Sequence, residues 1–458
     1  MTSDTEDWLH ELVRDRIIEG VVEGDIDSDI SSEEIHQVME SVTEELGDEF
    51  YSQVLSNDEG LRRYRETWNE FEKGIEDRWG EPLELLERLI IWSLDTGEAI
   101  NREHRLEAAR DQDFVFDAHT RLHARGVQIA MEIHSLLASG YADGAFARWR
   151  SLYELAITTS FIQESGQDAA ERFLAYRYIW EYYFAQTYQE HVDDLDGEPI
   201  DPQTLASLEE MHSELVDQFG PEMDGKYGSE WAADALDLDG GPPLTRLAEE
   251  TGLDHYKPYY RLASESLHGG SKGTLDRLGI IDIPDVEQPE ILLSGPSNAG
   301  LAMPGQMTAI TLAQITFALI NWQSTSVRVA EMQGMQQLVD DINHAFAEAA
   351  EELYEDEKEA REEWADQDIV DIALNYLGAP VLFVDEFFED HTEFDSPGEF
   401  EDALPVSIKE IVDQDALPNA VNEIVNEYSE FGSMVELIEA AFESWVRREV
   451  DLSDFDVD

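Results

Sequence analysis

Ile291–Ala330 reads ILLSGPSNAGLAMPGQMTAITLAQITFALINWQSTSVRVA, and in this whole run only Arg328 is charged. The surrounding chain is 29% charged, with 104 Asp plus Glu against 29 Lys plus Arg. A segment that escapes this density of carboxylates must be shielded from solvent. The stretch Met307–Val327 has the spacing of a helix apolar on every side, which belongs in a core or an oligomer interface. Its most apolar part, Met307–Trp322, is too short to span a bilayer of about 30 Å, and Thr308, Thr311, Gln314, Thr316 and Asn321 interrupt it.

Outward from this run, helical periodicity dominates every long segment. Helices are expected at about 82–96, 113–138, 143–163, 168–191, 202–219, 243–251, 257–267 and 304–329. Gly140 stops one of them, and Gly80-Glu81-Pro82 reads as a break. Extended signals are short, at about 280–283 and 291–293. The expected class is therefore all-α, a multi-helix bundle core at 83–330 with acidic helical extensions at 1–80 and 331–458. EAAEELYEDEKEAREEWADQD in the C-terminal region reads as a solvated charged helix, and APVLFVDEFF as a strand or buried turn.

The net charge of −75 is spread over the whole length: −21 in residues 1–100, −21 in 101–330 and −33 in 331–458. Arginine outnumbers lysine by 23 to 6. In molar salt surface repulsion is screened within about 3 Å, so carboxylates can cover a surface that would otherwise repel itself. The composition resembles that of salt-in halophilic archaea. No Asp-x-Asp-x-Asp-Gly loop supports calcium buffering. The chain has no cysteine, which excludes disulfides and thiolate chemistry. Its first residues, MTSDTEDWLHELVRD, show no basic-then-apolar signal pattern. A soluble cytoplasmic protein without membrane association is expected.

Against the acidic background, GAFARWRSLYELAITTSFIQ (Gly144–Gln163) isolates Arg150 and Glu154. They are four residues apart and so share a helix face. On a helix this apolar they form either a structural ion pair or the polar floor of a pocket. The loop LHGGSKGTLDRLG carries His268, Ser271 and Lys272 among glycines, a setting that could hold an anion, but it lacks the order of a P-loop. His119 and His123 have the spacing of metal ligands on a helix. With no glutamate after His119 they read as filler, so no metal and no cofactor is assigned.

RLASESLH places Arg261 and His268 seven apart. The pattern looks like the Arg-x4–6-His signature of HEPN-type ribonucleases, in which the histidine moves a proton and the arginine stabilises phosphate charge. Twenty-three arginines and 12 histidines also produce such spacings by chance. Gly140, Arg150-Ser-Leu-Tyr-Glu154, the helix with Arg177 and Tyr178, Tyr227-Gly228-Ser-Glu-Trp231-Ala232, the Ser264/Ser266–His268 turn and Gly295-Pro296-Ser297 together resemble the domain of unknown function 5677, over about residues 110–330. That resemblance implies an all-helical domain with no assigned chemistry, and a polar set of Arg150, Glu154, His268 and Ser271.

Two functions follow as expectations. The first is a non-enzymatic binding or interaction module at Arg150, Glu154, His268 and Ser271. The second is a metal-independent ribonuclease using Arg261 and His268, in defence or toxin–antitoxin stress. Nucleic acid is a partner only in the second. The partner is otherwise open, a homodimer among the options.

Overall fold

The structure, a computed structural model, describes residues 47, 50–52, 54–265, 279–282, 290–293, 295–322, 325–365, 387–388, 391–392, 394, 396–404, 419–429, 431–434, 436–438 and 440–441. The chain divides into two compact units, Met1–Glu76 and Asp77–Asp458. In the first, Tyr64 and Trp68 pair their rings at 5.6 Å. The second holds the bundle.

The architecture is all-α, with a multi-helix packed core. Among the described residues the helices include α1 (Asp58–Asp111), α2 (Phe114–Ala138), α3 (Ala142–Ser165), α4 (Gln167–His191), α5 (Pro202–Phe219), α6 (Leu244–Glu250), α7 (Lys257–Glu265), α8 (Ala302–Asn321), α9 (Ser326–Ala365), α10 (Pro397–Ala403) and α11 (Asn419–Tyr428). Three one-turn 3-10 segments join α5 to α6. One antiparallel pair, β1 (Gly279–Asp282) and β2 (Glu290–Leu293), runs in register from Gly279 opposite Leu293 to Asp282 opposite Glu290. It falls where the short extended signals lie.

The uncharged run becomes α8, and α8 is the hub: it packs on α2, α3 and α9. Thirteen of its 20 residues are buried. By length and composition it could cross a membrane, but 72% of its apolar window is buried inside the protein. Its threonines do not interrupt the core. The hydroxyls of Thr308, Thr311 and Thr316 donate to the carbonyls of Pro304, Met307 and Leu312 at 2.6, 2.6 and 2.8 Å. Each polar group is satisfied within its own helix and presents a methyl outward.

Three indole N–H groups fix α8 along its length. Trp79 Nε1 donates to Asn298 Oδ1 at 2.6 Å, just before the helix begins. Trp149 Nε1 reaches Thr311 Oγ1 at 2.9 Å and Met307 O at 3.1 Å in its middle. Trp322, just past its end, donates to Asp113 Oδ2 at 2.8 Å. Gly305 lets α9 approach closely, since a Cβ there would lie 2.3 Å from the Phe346 ring.

Two expectations about chain breaks need revision. Gly80-Glu81-Pro82 does not end a helix: α1 continues through Pro82 to Asp111. Proline costs a helix about 3 kcal/mol, but Trp79, Leu83, Leu86, Leu89 and Ile90 are buried along the same stretch. At about 1.5–3 kcal/mol each, their burial exceeds that cost. The helix expected to end at Val329 is two helices, α8 ending at Asn321 and α9 starting at Ser326. The composition steps at 80–83 and 330–331 both fall inside helices. In α9, Met335, Val339, Ile342 and Phe346 beyond the second step are buried. Farther on, Phe388 and Phe400 pair at 5.1 Å, and Val421, Val425 and Leu437 are buried, so the acidic C-terminal region has apolar packing of its own.

Candidate functional site

α3 starts after the αL glycine Gly140 (φ +76°). Its sequence is apolar nearly all round, so it sits inside the bundle with Trp149, Leu152, Ala156, Ile157 and Ile162 buried. Aromatic residues stack along it. Phe146, Trp149 and Tyr153 follow one another at 5.3 and 5.4 Å, nearly parallel. The Tyr153 hydroxyl leaves this column to donate to Leu253 O at 2.8 Å.

Arg150 and Glu154 emerge from the same helix with side chains 27% and 41% exposed, and they pair at 3.2 Å through Nε and Oε1. The structure adds a third member, Tyr260 of α7. Its hydroxyl donates to the same Glu154 Oε1 at 2.8 Å, and its ring lies under the Arg150 guanidinium at 4.7 Å. Glu154 thus accepts from a cation and a phenol, while the cation stacks on that phenol's face. Burial and the adjacent Glu154 carboxylate push the Tyr260 phenol up to about 12. Burial, with Asp254 nearby, does the same for Tyr153. Burial works against the Arg150 cation, but Tyr260 and Glu154 outweigh it and hold its pKa above the ordinary value.

Beside this cluster lies a cavity of about 60 Å³ between α3, α6 and α7. Ile157, Leu244 and Ala248 form its apolar wall, Tyr153 and Tyr260 bring their rings, and Glu249, Asp254 and Lys257 bring charge. Arg261 follows Tyr260 on α7 and is exposed. His268 and Ser271 lie outside the described residues. Of the expected polar set, then, Arg150 and Glu154 are together, and their described third partner is Tyr260.

His119 and His123 are core residues, 1% and 3% exposed. His119 Nε2 lies 3.2 Å from Thr159 O, and its Nδ1 is buried without a hydrogen bond. His123 Nε2 lies 3.3 Å from Thr316 Oγ1. Because that hydroxyl already donates to Leu312 O, the imidazole is the donor. Burial lowers both pKa values, that of His123 to about 4. Among the described residues no group of His, Asp or Glu is arranged to hold a metal.

A second polar cluster escapes sequence reading. In Tyr227-Gly228-Ser229-Glu230-Trp231, Gly228 takes φ +97°. This turns the backbone so that N–H groups of Tyr227, Gly228 and Ser229 donate to the Glu230 carboxylate at 2.9, 2.8 and 3.0 Å. Tyr176 adds its hydroxyl at 2.6 Å. Such a concave backbone binds anions, and here the chain fills it with its own carboxylate. Burial opposes the charge of Glu230, but Tyr176 and the backbone donors outweigh it and hold the group below its ordinary range. The glycine two residues before a glutamate was the available signal. Next to it His212, stacked under Tyr182 at 4.1 Å, pairs with Asp224 at 2.9 Å, and Tyr183 donates to the same oxygen at 2.5 Å. An open cleft of about 360 Å³ runs between α4 and α5, past Tyr182, Gln186, Gln189 and Leu208.

No curated protein and no solved structure matches the chain. Residues 116–282, which carry the Arg150–Glu154–Tyr260 cluster and the Glu230 turn, match the model of a family of unknown function, DUF5677, and the helical domain from α2 to β1 resembles that family.

Proposed function

We propose that the protein is a salt-adapted cytoplasmic binding module, and that the cavity between α3, α6 and α7 receives the tip of a partner's cationic side chain. The observation that carries this reading is the cavity's size combined with its walls. Sites for drug-sized ligands measure roughly 300–1,000 Å³, whereas this one is about 60 Å³. It suits a group of a few atoms. Two carboxylates, Glu249 and Asp254, and one ammonium, Lys257, line it beside two tyrosine rings, all three charges exposed and Glu249 also paired with Arg246 at 3.8 Å. Carboxylates and aromatic faces both favour a cation. At high salt, charges at an exposed rim are screened within about 3 Å, so the tyrosine rings and the apolar wall carry the recognition.

Titration calorimetry with n-butylammonium and methylguanidinium in molar KCl tests this reading. Saturable binding by the wild type, lost in Ala248→Leu, which fills the cavity, is the expected result. No saturation, or equal binding by the filled variant, refutes it. The same preparations separate the ribonuclease reading. RNA cleavage that disappears in Arg261→Ala and in His268→Ala would replace a binding role with a catalytic one.

A further inference from the structure

Helix α4 carries an exposed aromatic ladder. Trp180 and Phe184 are 53% and 54% exposed and stack at 5.2 Å with an interplanar angle of 11°. Tyr188 continues the stack at 6.3 Å. At 100° per residue, Arg177, Trp180, Phe184, Tyr188 and His191 fall within a sector of about 80°. The opposite side of α4 faces α5, with Ala185 buried. None of those five stripe positions is a carboxylate, in a chain with 104 of them. Arg177 donates to Tyr178, and His191 pairs with Asp194 at 3.6 Å.

We propose that this stripe is the contact surface between two copies of the chain, packed antiparallel about a two-fold axis near position 182. Two features select a second copy. The first is self-complementarity. A two-fold at 182 sets Trp180 against the partner's Phe184 and Phe184 against the partner's Trp180, as an isologous interface requires. The second is charge. Two molecules of −75 repel wherever carboxylates meet, and the approaching faces offer aromatic rings and Arg177, with Glu181 at their edge and His191 paired to Asp194. One helix stripe of 15 residues buries less than the roughly 800 Å² per partner of a standard interface. The dimer is therefore concentration-dependent and needs salt to screen the remaining surface.

Sedimentation equilibrium in 2 M KCl tests the proposal. The wild type is expected to dimerise reversibly. Trp180→Glu/Phe184→Glu is expected to sediment as a monomer with its helical circular dichroism intact, while Leu106→Glu on exposed α1 leaves the dimer unchanged. A wild type that stays monomeric at about 100 µM, or a dimer indifferent to the double substitution, overturns it. So does a monomer that instead binds a single-stranded oligonucleotide through these rings. If the double variant misfolds, Glu181→Cys in the otherwise cysteine-free chain decides. Position 181 lies beside the axis, so oxidation yields a disulfide-linked dimer, and its failure to do so refutes the geometry.

Discussion

Acidification from pH 7 to pH 5 should cost the wild-type fold free energy that a His123→Gln chain keeps. His123 is 3% exposed, with Nε2 against Thr316 and its ring against the backbone of Gly97, where an added Cβ would lie 2.5 Å away. Burial holds its pKa at about 4 instead of the ordinary 6.5. Above pH 6.5 the imidazole is neutral in folded and unfolded chains alike and adds no pH dependence. Below that, the unfolded chain binds a proton that the folded chain refuses until about pH 4. Stability therefore falls by about 1.4 kcal/mol per pH unit through this window. From pH 6.5 to 5 the loss is about 2 kcal/mol, and by pH 4 about 3 kcal/mol. Glutamine can still donate to Thr316 but does not titrate. The assay is urea unfolding at pH 7, 6 and 5 in molar KCl for both chains. Stopping at pH 5 keeps most carboxylates ionised, and His119 contributes equally to both. Parallel pH profiles would show that the folded state protonates His123 freely, and the burial argument would fail.

Glu230→Gln leaves three backbone donors and Tyr176 facing a neutral amide, and should destabilise the fold by about 2–3 kcal/mol at pH 7 in urea unfolding. Because the Glu230 pKa is lowered by folding, its contribution is present above the ordinary carboxylate range and is lost as pH falls below it, so the penalty of the substitution should shrink in acid. Gly305→Ala should cost about 1–3 kcal/mol by overpacking against buried Phe346, read as a lower denaturation midpoint with an unchanged slope. Raising KCl from 0.1 to 3 M should increase the melting temperature, since the charge of −75 repels itself most at low ionic strength. A melting temperature indifferent to salt would remove the ground for salt adaptation.

The core was legible because charge is so dense elsewhere. The uncharged run located α8, and apolar spacing located α2 to α5. Arg150 and Glu154 were legible as a pair because four residues on a helix is a local relation. Tyr260 was not, because it stands 106 positions from Glu154 and meets it only when α7 folds onto α3. Pro82 misled because a local cost was outweighed by burial of Trp79 and Leu86, a tertiary gain with no local signature. Nothing local marks Glu230 as buried. Its burial depends on the left-handed Gly228 and on Tyr176 from another helix.

The three tryptophan hydrogen bonds to Asn298, Thr311 and Asp113 act as a vernier on the central helix. A slide of α8 by one turn, about 5.4 Å, would break all three together and move Gly305 out from under the Phe346 ring. Sliding of the central helix along its axis is thus opposed at three points at once. Any movement of the outer helices therefore takes place around a rod held in register at its two ends and its middle.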